Sequence, residues 1–245
     1  MDSGYYAAGT ALVTSTQQMD TIANNLANVS TVGYRAEHNV FSAVLADASN
    51  PSGSSIDQAI NNYGIVSGTV LDHSQGALQK TGNDLDAAIQ GPGYFVVQTA
   101  KGVMYTRNGS FQVSGQGQLV TSTGDAVMGE GGVIKMPPGH VSISADGTIS
   151  TNGAITGKLR LVDFAPTVDL ESAGNTYYTA PANTAQPSTT SDVRQGFLES
   201  SNVNPILGLV DLITTQRSAE MMQRALSMFN TEIDKTATQD LPKVG

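Results

Sequence analysis

The run Ala8-Gly9-Thr10-Ala11-Leu12-Val13-Thr14-Ser15-Thr16-Gln17-Gln18-Met19-Asp20-Thr21-Ile22-Ala23-Asn24-Asn25-Leu26-Ala27-Asn28-Val29 carries its apolar residues on one line. Ala8, Leu12, Met19, Ile22, Leu26 and Val29, with Ser15 in the gap, recur in alternating steps of 4 and 3. That is the period of helices packed lengthwise on other helices. Ser3 can cap the start, and Gly33, which tolerates positive φ, can stop the helix. A helix over about residues 4 to 30 would be roughly 40 Å long. Its other face holds Thr14, Gln17, Gln18, Thr21, Asn24, Asn25 and Asn28, and between Ser3 and Tyr34 only Asp20 is charged. A solvated helix normally carries Glu and Lys there. Uncharged amides and hydroxyls can be buried once partnered, whereas charges are far costlier. The face therefore suits burial against other chains. The plainer alternative is a Ser/Thr/Asn-rich surface helix.

The C-terminus mirrors this pattern. Asn204-Pro205 is a helix start, with Asn as cap and Pro in the first turn. Leu212, Thr215, Ala219, Met222, Leu226, Phe229 and Ile233 follow in alternating steps of 3 and 4. Glu220 and Arg224 form an i,i+4 pair, with Arg217 on the same side. Leu241-Pro242 ends the helix. Neither helix can bury its seam alone. Pairing them lengthwise covers one stripe each and leaves the amide-rich face for neighbours.

Between the ends the signal changes. Glu37 to Leu45 reads as a short helix, residues 46–55 as a loop, and Ile65 to Gln79 as an extended segment. From about Thr81 short β runs dominate: Tyr94–Gln98, Val103–Arg107, Ser110–Val113, Gln118–Thr121, Val133–Met136, Val141–Ala145 and Lys158–Phe164. Asn108-Gly109 and Asp146-Gly147 read as hairpin turns. Residues 165–195, with Pro166, Pro181 and Pro187, read as an extended return path. The expected class is α+β: paired, coiled-coil-like terminal helices with an inserted compact antiparallel β domain. Residues 1–36 and 200–245 would form the helical domain and 37–79 a linker. Residues 80–165 would form the β domain and 166–199 the return.

The chain has 245 residues, 12 Lys and Arg against 21 Asp and Glu, and a net charge of −9. This balance argues against nucleic acid or an anionic membrane surface as partner. Cysteine is absent, which excludes disulfides and thiolate chemistry. No apolar run reaches the roughly 18 residues that span a bilayer, so membrane insertion is not expected. Residues 1–12 hold no basic residue ahead of their apolar stretch, so a cleaved secretory signal is not expected either. His38, His73 and His140 lack ligand spacing, so no metal is expected. Asp72-His73-Ser74 resembles a triad only in composition, because neighbours in an extended chain alternate faces. Gly115-Gln116-Gly117 reads as a turn, and Asp84-Leu85-Asp86 lacks the later ligands of a calcium loop. No active site and no cofactor are expected.

Three ordered motifs carry a resemblance. The first is Asn24-Asn25-Leu26-Ala27-Asn28-Val29-Ser30-Thr31-Val32-Gly33-Tyr34-Arg35. The second runs from Gly82-Asn83-Asp84-Leu85-Asp86 through Gly93-Tyr94-Phe95 to Tyr105-Thr106-Arg107-Asn108-Gly109-Ser110-Phe111. The third is Gln195-Gly196-Phe197-Leu198-Glu199-Ser200-Ser201-Asn202-Val203-Asn204, followed by Thr215-Gln216-Arg217. Together they resemble the bacterial flagellar rod and hook family. Val32 stands where the family often has Pro, and Ala219 where an aromatic is common. Length and a single β insert are similar to the proximal-rod members, with distal-rod members next.

The resemblance implies a structural subunit of the basal-body rod that transmits torque from motor to hook. Terminal helices of many rod subunits would line a helical tube, with the β domain outside. Ring and bushing proteins would meet that domain, where its negative charge would matter. Export would use the flagellar type III apparatus, placing the protein in the periplasmic rod. The expected assembly interface is Leu12, Met19, Ile22, Asn25, Leu26, Asn28, Gly33 and Tyr34, with Asn202, Asn204, Leu212, Gln216, Arg217, Met222, Leu226, Phe229 and Ile233. A competing reading is an envelope glycan-binding or adhesion β module, with Tyr94, Tyr105, Tyr177 and Tyr178 as a sugar platform. An acid/base hydrolase lacks a constellation.

Overall fold

The computed structural model describes residues 2–43 and 64–239. Helix α1 spans Asp2–Ala27 and helix α2 spans Pro205–Gln239. All paired strands with a stated register run antiparallel, so the class is α+β. The chain divides into two compact units. One contains Met1–Leu26, Glu37–Thr69 and Asn204–Gly245; the other contains Ala27–Ala36 and Val70–Val203.

In the first unit the seam residues are covered in part, and so are Thr14, Gln18, Thr21 and Asn25 on the amide-bearing side of α1. Ala8 is buried, and Leu12, Met19, Ile22 and Leu26 are half-buried, whereas Val13 between them is exposed; Val29 falls beyond the end of α1, in the other unit. On α2, Thr215 and Ala219 are buried and Leu212, Met222, Leu226 and Phe229 half-buried. Asn204 caps α2, its Oδ1 accepting from the N–H groups of Ile206 and Leu207 at 3.0 and 3.2 Å. No described helix is long and apolar enough to cross a membrane.

The expected helix over 37–45 is instead the strand Glu37–Ala43, paired with Gly64–Leu71. Burial from Glu37 to Val40 alternates residue by residue, the period of a strand. The amide of Asn25 fixes its start: Nδ2 donates to Glu37 O at 2.8 Å and Oδ1 accepts from Glu37 N at 2.9 Å. Thr21 donates to Asn39 at 2.9 Å. Part of the amide-rich face is thus used within the chain. The loop read over 46–55 lies outside the described residues.

The second unit is built on a ten-stranded sheet. Its centre is Tyr94–Thr99, which pairs with Gly102–Thr106 on one side and Ala126–Gly129 on the other. Val97 faces Met104 and Val127 across these ladders, and Phe95 packs edge-on against Phe111 at 5.1 Å. With Ile89, Leu119, Ile149 and Leu159 they form the main core. Strands from Leu161–Asp163 to Phe197–Glu199 pair with this body, so the extended return path is woven into it. Asp146-Gly147 joins the paired strands Val141–Ile143 and Thr148–Thr151, a hairpin as read. Asn108-Gly109 does not make a hairpin, because the strands it joins pair elsewhere. Asn108 Oδ1 accepts from Ser110 N at 3.0 Å, and Gly109 lies against the Ala87 carbonyl, where no Cβ fits.

The sugar-platform reading fails on burial. Tyr94, Tyr177 and Tyr178 are buried, and Tyr105 stacks edge-on with Phe164. The charge also falls elsewhere than expected. The β unit has eight basic and eleven acidic residues, whereas the helical unit has four and ten.

Candidate functional site: a buried arginine–glutamate–arginine clasp

The described residues show no grouping of His, Asp and Glu able to hold a metal. Asp72, His73 and Ser74 form no relay. Ser74 donates to the Asp72 carboxylate through both N and Oγ at 2.8 Å, and His73 Nδ1 lies 3.0 Å from the Tyr94 hydroxyl.

What the β unit does concentrate is a buried clasp. Glu199 is fully buried, and its carboxylate bridges two guanidinium groups, Arg35 Nη1 at 2.8 Å and Arg107 Nη1 at 3.1 Å. Both arginines are at least 97% buried, with exposures of 1% and 3%. Backbone groups supply part of the shell, while Arg35 Nε and Nη2 and Arg107 Nε are buried without a hydrogen-bond partner among the described residues. Gly76 N donates to Glu199 Oε1 at 2.9 Å, Arg35 Nη1 donates to Ser74 O, and Arg107 Nη2 donates to Gly91 O at 2.9 Å. Two cations against one anion leave a net positive charge, and the Tyr94 ring lies 5.1 Å from Arg107 Cζ to take part of it. Burial lowers the Arg107 pKa against the opposing pull of Glu199, and burial raises those of Tyr94 and Tyr178. His73 is lowered, first by desolvation and then by Arg35.

The three motifs meet here. Gly33 N donates to Glu199 O at 2.8 Å, and Arg35 N donates to Tyr178 Oη at 3.0 Å. Asn202 Oδ1 accepts from Ala36 N at 2.7 Å, while its Nδ2 donates to Asp72 O and Ser74 O at 3.0 and 3.1 Å. Gly33 does not end the helix. α1 stops at Ala27, turns through Asn28–Thr31 follow, and Gly33 at φ +71° lets the backbone press on Arg107 and Asn108. Breaking such a buried pair by removing one partner costs about 3–5 kcal/mol. The clasp therefore holds the segments just after α1 and just before α2 on one body.

The residues named from sequence sort into groups. Gly33 and Tyr34 are buried and Asn202 half-buried in the β unit, where Gly33 and Asn202 bond within the clasp shell. Leu12, Met19, Ile22, Leu26, Leu212, Met222, Leu226 and Phe229 lie on the helix seams. Asn25 and Asn28 are half-buried, and Gln216 and Arg217 are exposed on α2. Ile233 falls within α2, with its side chain outside the described ones. Arg35, Arg107 and Glu199 were not among them. Their signal was present: each is a charge within one motif, in a chain with only 13% charged residues.

Comparison with known proteins follows the same three regions. Residues 6–35 match the flagella basal body rod protein family, 88–151 the D1 domain of flagellar hook protein FlgE/F/G, and 194–239 the C-terminal region of flagellar basal body rod FlgEFG protein. The flagellar basal-body rod protein FlgF of Caulobacter vibrioides is 33% identical over the whole of both chains. The chain belongs to the flagellar basal-body rod protein family. FlgF of Salmonella typhimurium is 36% identical, covering 93% of this chain and 94% of that one. FlgG of Buchnera aphidicola from Schizaphis graminum is 35% identical, covering 89% and 92%. Family membership places one clasp residue in each matched region: Arg35, Arg107 and Glu199.

Proposed function

We propose that this protein is a structural subunit of the bacterial flagellar basal-body rod, polymerising through its terminal helices and passing torque from motor toward hook. End-to-end similarity to rod proteins carries the reading. The helices supply a surface for it. Beyond the covered seam, α2 exposes a second line of Ile206, Val210, Ile213, Met221 and Met228, interrupted by exposed Arg217 and Arg224, with Ile206 at 73% and Met228 at 66% exposure. A row of that size on a water-facing helix suits neighbours of the same kind. Gly33, Tyr34 and Asn202 are engaged inside the β unit, whereas lengthwise pairing of α1 with α2, and the helix-seam residues named above as assembly interface, belong to this proposal. So do the other rod subunits as partners, contacts with surrounding ring or bushing proteins, delivery by the type III export apparatus, and a place in the periplasmic part of the basal body. The subunit works as a mechanical part and not as an enzyme.

A proximal-rod position is the reading preferred here, since an FlgF protein matches over its full length. A distal-rod position is the runner-up, supported by FlgG relatives of similar identity. The test is Leu26→Asp and Phe229→Asp, each followed by purification of basal bodies and hydrogen exchange on the free subunit. Both variants should be missing from rods while the β unit keeps its protection. Near-normal motility in both would refute assembly through the helices.

A further inference from the structure

The clasp joins residues far apart in sequence. Arg107 and Glu199 are separated by 92 residues, and Arg35 reaches Tyr178 across 143. The same holds for the strands around it. Among the described residues, Ala87–Gln90, three of whose four residues are buried, finds its strand partner in Asp192–Gln195, with one further backbone bond from Ala87 N to Gly109 O at 3.0 Å, and Leu78–Lys80 finds its partner in Phe197–Glu199. Arg194 Nε bonds Gln90 Oε1 across 104 residues. By contrast, several of the central ladders are local, although Tyr94–Thr99 also pairs with Leu161–Asp163 and Gly102–Thr106 with Tyr177–Thr179. Tyr94–Thr99 turns directly into Gly102–Thr106, and Phe111–Val113, Leu119–Thr121 and Ala126–Gly129 follow as consecutive hairpins. Local hairpins close cheaply, whereas distant pairings pay the loop entropy first.

We propose that the segment 192–203, with Glu199 at its centre, is a late latch on the β unit. Until it arrives, the Arg35 and Arg107 guanidinium groups have no buried anion, and burying them uncompensated is prohibitive. The central hairpins therefore form with the Arg107 end open to water. The unit closes when Glu199 docks, which simultaneously pairs Ile89 and Gln90 and locks the residues that follow α1. A chain appearing N-terminus first stays open until residue 199 is present. For a subunit delivered by the type III export apparatus, as proposed above, late closure lengthens the time the chain stays open. The folding argument stands without that route.

The test uses the full-length chain refolding from urea, with pulsed hydrogen exchange read by mass spectrometry. Amides of 94–129 should gain protection first, and those of 87–90 and 192–199 later and together. In parallel, Glu199→Gln should raise the unfolding rate about ten-fold or more while changing the refolding rate less than about two-fold. Val97→Ala, in the central ladder, should instead slow refolding. Protection of 192–199 in the same phase as 94–129 would overturn the proposal. So would a refolding rate for Glu199→Gln that falls in step with its loss of stability. Should Glu199→Gln fail to fold, the pulse experiment on the unaltered chain decides alone.

Discussion

Replacing Gly33 by alanine separates a conformational cost from a steric one. Gly33 has φ +71°, and a Cβ there would meet Asn108 N at 2.4 Å, Arg107 C at 2.6 Å and Asn108 Cα at 2.8 Å. The left-handed backbone alone costs an alanine about 1 kcal/mol. The contacts are with backbone, which cannot swing aside as a side chain can. Relief requires moving the Arg107–Asn108 chain, at about 2 kcal/mol. Gly33→Ala should therefore destabilise the β unit by about 3 kcal/mol. Gly82 is the control. It has φ +75° with nothing within 4 Å of its Cβ position, so Gly82→Ala should cost only about 1 kcal/mol. The assay is urea unfolding followed by near-ultraviolet circular dichroism, to which the buried Tyr34, Tyr94, Tyr177 and Tyr178 of the β unit contribute. With a slope of about 2 kcal/mol/M, the midpoints should fall by about 1.5 M and 0.5 M. Equal shifts for the two variants would refute the close approach as the reason for glycine at 33.

Two further outcomes follow from the same geometry. The His73 pKa in the folded chain lies below its ordinary 6.5, so the unfolded chain binds the proton first. Stability from this group is present above pH 6.5 and is lost as pH falls from there through the folded value. His73→Gln should flatten the slope of stability against pH below 6.5 relative to the natural chain, read by urea midpoints across pH 5–8, and an unchanged slope would refute it. Asn204→Ala removes an acceptor from two N–H groups at the start of α2. It should cost about 1 kcal/mol, seen as faster hydrogen exchange at residues 206–208 with the β unit unchanged.

The helices were legible because their signals are local. Steps of 3 and 4 from Ala8 to Val29 and onward from Leu212 mark one face of a cylinder whatever surrounds it, although α1 itself stops at Ala27. Asn204-Pro205 set the start of α2 at the residue where the structure has it. Asp146-Gly147 was legible for the same reason, since its turn needs only its own two residues and Gly147 supplies φ +83°. Glu37–Ala43 was not, because short apolar runs do not distinguish helix from strand. The decision was made by Asn25, twelve residues earlier, whose amide holds the extended backbone of Glu37. Asn108-Gly109 misled because its strands find other partners, so a local turn preference was overridden by pairing elsewhere.

The sequence by itself determined the two long helices, the β-rich interior and the three motifs that mark the family. Those rest on periodicity, on turn residues and on short strings of side chains, all readable along the chain. Only the tertiary structure decided that these motifs share a purpose inside the β unit. Arg35, Arg107 and Glu199 lie far apart along the chain, and no periodicity links them. Their charges can be buried only together, and that mutual requirement exists only once the chain has folded back on itself.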